Sequence, residues 1–347
     1  MKTYGIILVG CGYMGAVHLD SLYRHSRARI VGVADLRPEK AQEFAHKYGA
    51  ETWDTDYRNL LKREDVDIVI IATYPSTHLE IARASIAAGK HILCEKPIAG
   101  NMKETEEFIR LAGSAKTKVL VGHILRHNST YQQVADMIRS GAIGAPLAMR
   151  MSQVKRTHNW ESHLALLHDA SPIVDCGVHY IDVMRWVTGA EVESVSGVGQ
   201  RLDAGVPENT YNYGMITMKF SDGSIGYYEA GWGHTMPSDN LKEFIGPKGR
   251  IRIIYKDQRP KSEQHLGNLI QFEHYPSGTR EDINVEYTLK PTGVQFEHFL
   301  GMIEGTKTAT PTLEDVYKAM QITLLADRAI HEGRTLAFAQ PTIYAVK

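Results

Sequence analysis

The stretch Val9-Gly10-Cys11-Gly12-Tyr13-Met14-Gly15 constrains this chain more than any other. It follows an apolar run, Tyr4 to Val9, that reads as a buried parallel strand. It precedes Ala16 to Tyr23, which reads as a helix. Gly10 permits a tight strand-to-helix turn, Gly12 leaves no side chain between the backbone and a pyrophosphate, and Gly15 lets the helix pack close on its strand. Tyr13 and Met14 lead into the helix, whose free N–H groups and positive dipole end favour phosphate oxygens. Glycine triplets also occur in plain turns, so context has to decide. A second apolar run, Arg29 to Ala34, ends in Asp35, twenty positions beyond Gly15. An acid at that distance is where a ribose 2′-hydroxyl is gripped. The pattern predicts a dinucleotide site built from Gly10, Gly12, Tyr13, Met14, Gly15 and Asp35. Asp35 repels a 2′-phosphate, which favours NAD over NADP. Arg37 pulls the other way, since it could pair with that phosphate if Asp35 turned aside.

The rest of the first third alternates short β-rich runs with helical patterns, as a doubly wound parallel sheet requires. Helices are expected over 38–48, 76–88 and 102–115, and strands over 65–72, 91–94 and 119–122. The carboxyl ends of these strands face the ligand crevice of such a fold and carry Gly10, Asp35, Thr73 and Lys96. From Asn128 the texture changes. A helix to Arg139 and a strand over 147–154 lead into a polar, His-rich loop that runs to His168. One helix is expected over 171–188. Between Val192 and Tyr287 β-runs alternate with turn signals and no intervening helices, which predicts a large antiparallel sheet. Helices over 294–303 and 313–331 close the pattern. At 347 residues two domains are the default. The expected division is a Rossmann domain over 1–123 and a second domain over 124–347, whose last helices can pack back on the first.

Charge and cysteine content exclude some functions. Lys plus Arg number 39 and Asp plus Glu 40, so no basic surplus points to nucleic acid or an anionic membrane. No apolar run approaches the roughly 20 residues that span a bilayer, and no export signal is recognisable. The three cysteines are scattered, which fits a reducing cytoplasm and offers no CxxC metal site. His158, His163 and His168 recur at five-residue intervals, a spacing that aligns no metal ligands on a helix, so no metal is expected. Trp160 in the same loop offers a stacking face for a polyhydroxylated ligand.

Two places carry chemistry. Lys96 stands at a strand end between Glu95 and Pro97. It is either a solvated lysine or an amine that polarises a substrate hydroxyl at the crevice. Asp175, His179 and Asp182 fall on one helical face, with Ile173, Val174, Val178 and Ile181 on the adjoining one. They are either a surface Asp–His pair or a site in which His179 is the general base, a role its ordinary pKa near 6.5 suits.

These residues resemble a known family. GCGYMGAVH with Asp35, Ala72-Thr73 with His78, AGKHILCEKP ending at Pro97, Gly122 to Arg126 and Asp175 to Asp182 are similar to the glucose–fructose oxidoreductase/inositol dehydrogenase/rhizopine-catabolism (Gfo/Idh/MocA) family. The chain departs from the common pattern at Tyr74 and after Arg126. The resemblance implies an N-terminal Rossmann domain, a C-terminal α+β domain with a large, open, mostly antiparallel sheet, and assembly into dimers or tetramers through that sheet. It implies a nicotinamide cofactor contacted also by Thr73, His78 and Glu95, and a cis Lys96–Pro97 peptide. Lys96, Asp175 and His179 become the catalytic set, with Arg126, His158 and Trp160 toward a sugar or cyclitol substrate. Hydride transfer from a secondary alcohol is the expected reaction. A redox-neutral NAD-dependent glycosidase and a non-catalytic dinucleotide-binding sensor are the alternatives.

Overall fold

The computed structural model describes residues 2–157, 159–288 and 290–338. They fall into two units, one of residues 1–124 with 290–317 and one of residues 125–289 with 318–347. The segment 290–317 therefore belongs with the glycine-loop unit.

In the first unit, strands β1 (Tyr4–Val9), β2 (Ala28–Ala34), β3 (Thr52–Asp54), β4 (Ile68–Ile71), β5 (His91–Cys94) and β6 (Val119–Val121) form a sheet in the order β3-β2-β1-β4-β5-β6. Every pairing in it is parallel. Strands β1 and β4 are buried along their whole length, as expected where helices cover both faces. The helices are α1 (Tyr13–Leu22), α2 (Pro38–Tyr48), α3 (Tyr57–Leu61), α4 (Pro75–Ala87) and α5 (Met102–Ser114). Proline opens α2 and α4, where its missing N–H costs no helical bond. The strand order reverses between β1 and β4, so the crevice of this fold opens at their carboxyl ends, after Val9 and Ile71. Strand β3 is absent from the sequence reading because only one of its three residues, Trp53, is apolar and none is buried. The unit's core also takes in α9 (Thr292–Ile303), which supplies Phe296, Phe299 and Leu300, all fully buried beside Tyr4, Ile6 and Leu8.

The second unit contains α6 (Ser129–Arg139), β7 (Ala148–Arg156), α7 (Trp160–Leu167), α8 (Val178–Thr188), β8 (Val192–Gln200), β9 (Tyr213–Phe220), β10 (Ile225–Gly233), β11 (Lys242–Gly246), β12 (Gly249–Ile254), β13 (Asn268–His274), β14 (Arg280–Val285) and β15 (Leu336–Ala337). The strands form a nine-stranded sheet in the order β14-β13-β12-β11-β7-β10-β9-β8-β15. All pairings are antiparallel except β7 with β10. Alternation along the strands sends Met149, Met151, Ile216, Met218, Tyr228, Phe244 and Ile251 into one core with Tyr131, Val134, Ile181 and Met184 of α6 and α8. The opposite face is polar and carries an ion-pair ladder, Arg150 to Glu243 at 2.7 Å, Glu243 to Arg250 at 3.5 Å and Arg250 to Glu273 at 2.7 Å. Helix α10 (Leu313–Glu332) completes the list of long helices.

Two segments of the second unit also differ from the sequence reading. The expected His-rich loop folds into α7, because Asn159 caps it by accepting from the Ser162 N–H. The expected single helix over 171–188 begins as a π-helical turn over Ile173–Gly177 before α8 continues as an α-helix.

Candidate active site

Around the glycine loop each glycine has a separate physical reason. Gly10 has φ +101°, and a Cβ there would meet the Ala72 carbonyl oxygen at 2.4 Å. At Gly15 a Cβ would meet the Gly10 oxygen at 2.2 Å, so α1 lies directly on the loop. At Gly12 a Cβ would meet nothing within 4 Å. Its lack of a side chain relieves no internal contact and leaves an open floor instead. Gly12 is the N-cap of α1, no side chain caps that helix, and no acid lies in its first turn. The free N–H groups therefore suit a phosphate.

Asp35 braces the loop from the end of β2. It accepts from the Cys11 N–H at 2.9 Å and from the Arg37 N–H and Nε, both at 3.0 Å. Burial works against its charge, yet the bonds from Arg37 and Cys11 hold its pKa below the usual carboxylate value. Burial, reinforced by Asp35, pushes the Cys11 thiol up to about 12. Arg37 is turned onto Asp35, so the two form one unit. This open floor, uncapped helix and ionised acid fit a dinucleotide with a free ribose 2′-hydroxyl.

At the ends of β4 and β5 the expected residues take less direct roles. His78 is fully buried, with Nδ1 3.0 Å from the Pro97 oxygen and Nε2 3.1 Å from the Thr73 oxygen. A side chain so placed holds the backbone at Thr73 and Pro97. The Thr73 hydroxyl accepts from Thr77 at 2.7 Å. Glu95 is buried, 2.7 Å from Nε2 of an equally buried His18. Burial disfavours its charge, but His18, Lys96 and Lys290 keep its pKa below the usual value. A Cβ at Gly122 would press on this carboxylate at 3.1 Å, so that glycine makes its room. Glu95 is thus a buried anion beside Lys96 and is not a surface contact. Lys96 itself is half-exposed, and its peptide bond to Pro97 is cis.

In the second unit, the π-helical turn is fixed at both ends. The Ser171 hydroxyl accepts from the Val174 N–H at 3.2 Å and donates to Asp327 at 2.5 Å. Gly177 lies against the Tyr228 ring, where a Cβ would approach to 3.2 Å. Tyr228 in turn stacks on Tyr180 at 4.9 Å. Asp175 and His179 are half-exposed, while Asp182 is buried. The expected common face for the three is therefore corrected. The wider turn displaces Asp175 from α-helical register, and Asp182 points inward to a two-pronged pair with Arg126 at 2.9 and 2.8 Å. The picture of a solvated helix is corrected as well, since nearly every residue of α8 is buried. The Arg126 guanidinium also lies 5.6 Å from the Trp186 ring. Its geometry is that of a brace between the turn after β6 and α8.

Trp160 opens α7, half-buried, with its indole N–H 3.4 Å from the Ala204 oxygen and its ring 5.8 Å from His234. His158 lies outside the described residues. Among the described residues no group of three His, Cys, Asp or Glu side chains is placed to hold a metal ion, and no helix is long and apolar enough to cross a membrane.

Residues 4–123 match the model of an oxidoreductase family with an NAD-binding Rossmann fold. Residues 131–252 match the GFO/IDH/MocA C-terminal domain. The chain belongs to the GFO/IDH/MocA oxidoreductase family. Among relatives of this GFO/IDH/MocA oxidoreductase is the scyllo-inositol 2-dehydrogenase (NAD(+)) of Bacillus subtilis, 28% identical over 332 residues and covering 94% of each chain. Inositol 2-dehydrogenase 3 of Saccharopolyspora erythraea is 31% identical over 256 residues, covering 72% of this chain and 73% of that one. The scyllo-inositol dehydrogenase of Lactobacillus casei, solved with NAD(H) and scyllo-inositol, shares the fold with a TM-score of 0.79 at 22% identity, covering 97% and 99% of the two chains.

Proposed function

We propose that this protein is an NAD-dependent dehydrogenase for a secondary alcohol of a cyclitol or related sugar, with Lys96, Asp175 and His179 as its catalytic residues. The observation that carries the reading is the full-length likeness to an NAD-dependent scyllo-inositol dehydrogenase, in a chain whose glycine loop is open at Gly12. NAD supplies the hydride acceptor. His179 takes the hydroxyl proton as the alcohol becomes a carbonyl. Lys96 donates a hydrogen bond to the reacting oxygen and stabilises the charge that develops there. Asp175 orients His179 or holds a neighbouring hydroxyl. Trp160 and His158 are proposed substrate contacts, and Arg126 is a positioning residue acting through Asp182. Thr73 and Glu95 serve the cofactor side, Glu95 through Lys96 and His78 through the backbone of Thr73 and Pro97. A reducing cytoplasmic setting fits three buried cysteines that form no disulfide.

The test is an NADH-formation screen with scyllo-inositol, myo-inositol, aldoses and sugar acids, followed by Lys96→Ala and His179→Ala on the best substrate. General acid–base groups contribute typically about 100- to 10,000-fold. We expect kcat to fall by at least about 100-fold in each variant while NADH binding persists. Unchanged turnover in either variant removes that residue from the mechanism, and no NADH formation with any polyol removes the reading.

A further inference from the structure

We propose that Lys290, which enters the first unit from far along the chain, is a cofactor-binding residue whose ammonium sits on the diphosphate of the dinucleotide. The proposal deepens the reading of the glycine loop and rests on it. Lys290 Nζ lies 2.9 Å from the Met14 sulfur and 4.8 Å from the centre of the Tyr13 ring. Tyr13 and Met14 are the first two residues of α1. Their N–H groups are those a loop of this kind turns toward phosphate. The amine is therefore held at the first turn of α1, which Gly12 caps, by two side chains that are polarisable and uncharged.

Its placement is built in. Two residues on, Thr292 is fully buried, and its hydroxyl bonds Ser21 Oγ at 2.7 Å and the Val17 oxygen at 3.2 Å, both on α1. The Thr292 N–H donates to the Lys290 oxygen at 2.8 Å. Segment 290–292 is thus pinned along α1, and the lysine projects toward that helix's N-terminal end. Its charge also bears on the buried Glu95, which has His18 and Lys96 as well. The loop brings backbone N–H groups and a helix dipole to the diphosphate, but no formal positive charge of its own. Lys290 supplies that charge and stays half-exposed to meet a ligand.

The experiment measures binding, so it does not depend on turnover. Wild type, Lys290→Met and Lys290→Arg are titrated by calorimetry with NADH, ADP-ribose and adenosine at 20 and 500 mM NaCl. We expect Lys290→Met to weaken NADH and ADP-ribose about tenfold at low salt, with a smaller gap at high salt as screening grows. Adenosine, which lacks phosphate, is expected to bind both proteins alike, and Lys290→Arg to recover most of the loss. A thermal melt of the apo protein within about 2 °C of wild type shows that the variant is folded; should it not be, Lys290→Gln replaces it. ADP-ribose affinity within twofold of wild type in the methionine variant overturns the proposal, and leaves Lys290 with a structural role at α1. Failure of the wild type to bind ADP-ribose or NADH strikes the reading of the loop itself.

Discussion

Gly12 and Gly15 sit three positions apart and answer to different demands. Gly12 faces open space at negative φ, whereas Gly15 faces the Gly10 carbonyl. A Gly12→Ala protein is therefore expected to melt within about 2 °C of wild type without cofactor and to bind NADH at least tenfold more weakly. Gly15→Ala forces α1 off its strand and is expected to cost about 1–3 kcal/mol in urea unfolding. If Gly12→Ala bound NADH normally, the open floor would not be where the diphosphate lies. Asp35 accepts the Cys11 N–H, and we propose for it a second job, gripping a ribose hydroxyl. Asp35→Ala is expected to lower kcat/KM for NAD by at least tenfold and to narrow its advantage over NADP; an unchanged ratio of the two would deny Asp35 the selecting role. Asp35 was legible from spacing alone. Lys290 was not, because 276 positions separate it from Met14 and no local pattern marks a residue whose partner is so distant. His18 left only a faint trace, as the histidine closing the loop motif, and its pairing with Glu95 needed the fold.

At the level of elements, periodicity and capping account for most of what could be read. Strands β1 and β4 announce themselves by apolar runs, and α2 by the proline that opens it and Gly49 after it. The π-helical turn at 173–177 left no such mark, since nothing local in Ile-Val-Asp-Cys-Gly distinguishes a π turn from an α turn, and Ser171, Asp327 and the Tyr228 ring fix it from elsewhere in the unit. The Arg126–Asp182 pair braces the helix that follows. Arg126→Met leaves Asp182 buried without that partner and is expected to cost about 3–5 kcal/mol, most of it regained in Arg126→Met/Asp182→Leu; an additive double variant would deny the coupling. Beneath the same turn lies Lys242, fully buried in β11. Its amine donates to the Ser152 oxygen and to Asn240 Oδ1 and lies 4.3 Å from the Tyr180 ring centre. Burial pulls its pKa down to about 7, against the attraction of Asp239. Between that value and the ordinary lysine pKa near 10.4 the unfolded chain binds more protons than the folded one, so stability rises with pH over this window. Urea unfolding at pH 7 and pH 9 is expected to show wild type gaining roughly 1–3 kcal/mol that Lys242→Met does not gain. Parallel pH dependence in the two proteins would place the titration elsewhere.

For the whole molecule, alternating βα patterning followed by long β-rich texture made both sheets legible, whereas the parallel pairing of β7 with β10 was not, because strand order across the second sheet is a long-range property. The outward face of that sheet carries the arginine–glutamate ladder and Tyr213 and Tyr227 bonded to Glu229. We expect this face to join copies of the chain. Light scattering should then give two or four times 38.8 kDa, and a mass of one chain would show the face to be free.

The return of residues 290–317 to the first unit bears on how the protein is born. Phe296, Phe299 and Leu300 complete the hydrophobic interior that β1 begins, yet the ribosome adds them long after β6 has emerged. At roughly 5–20 residues per second, the nascent N-terminal half waits on the order of 10–40 s with that patch uncovered. The exposed side of β1 and α1 is therefore where a chaperone would be expected to hold the growing polypeptide, and a stalled chain ending at Ile124 is where it would be caught.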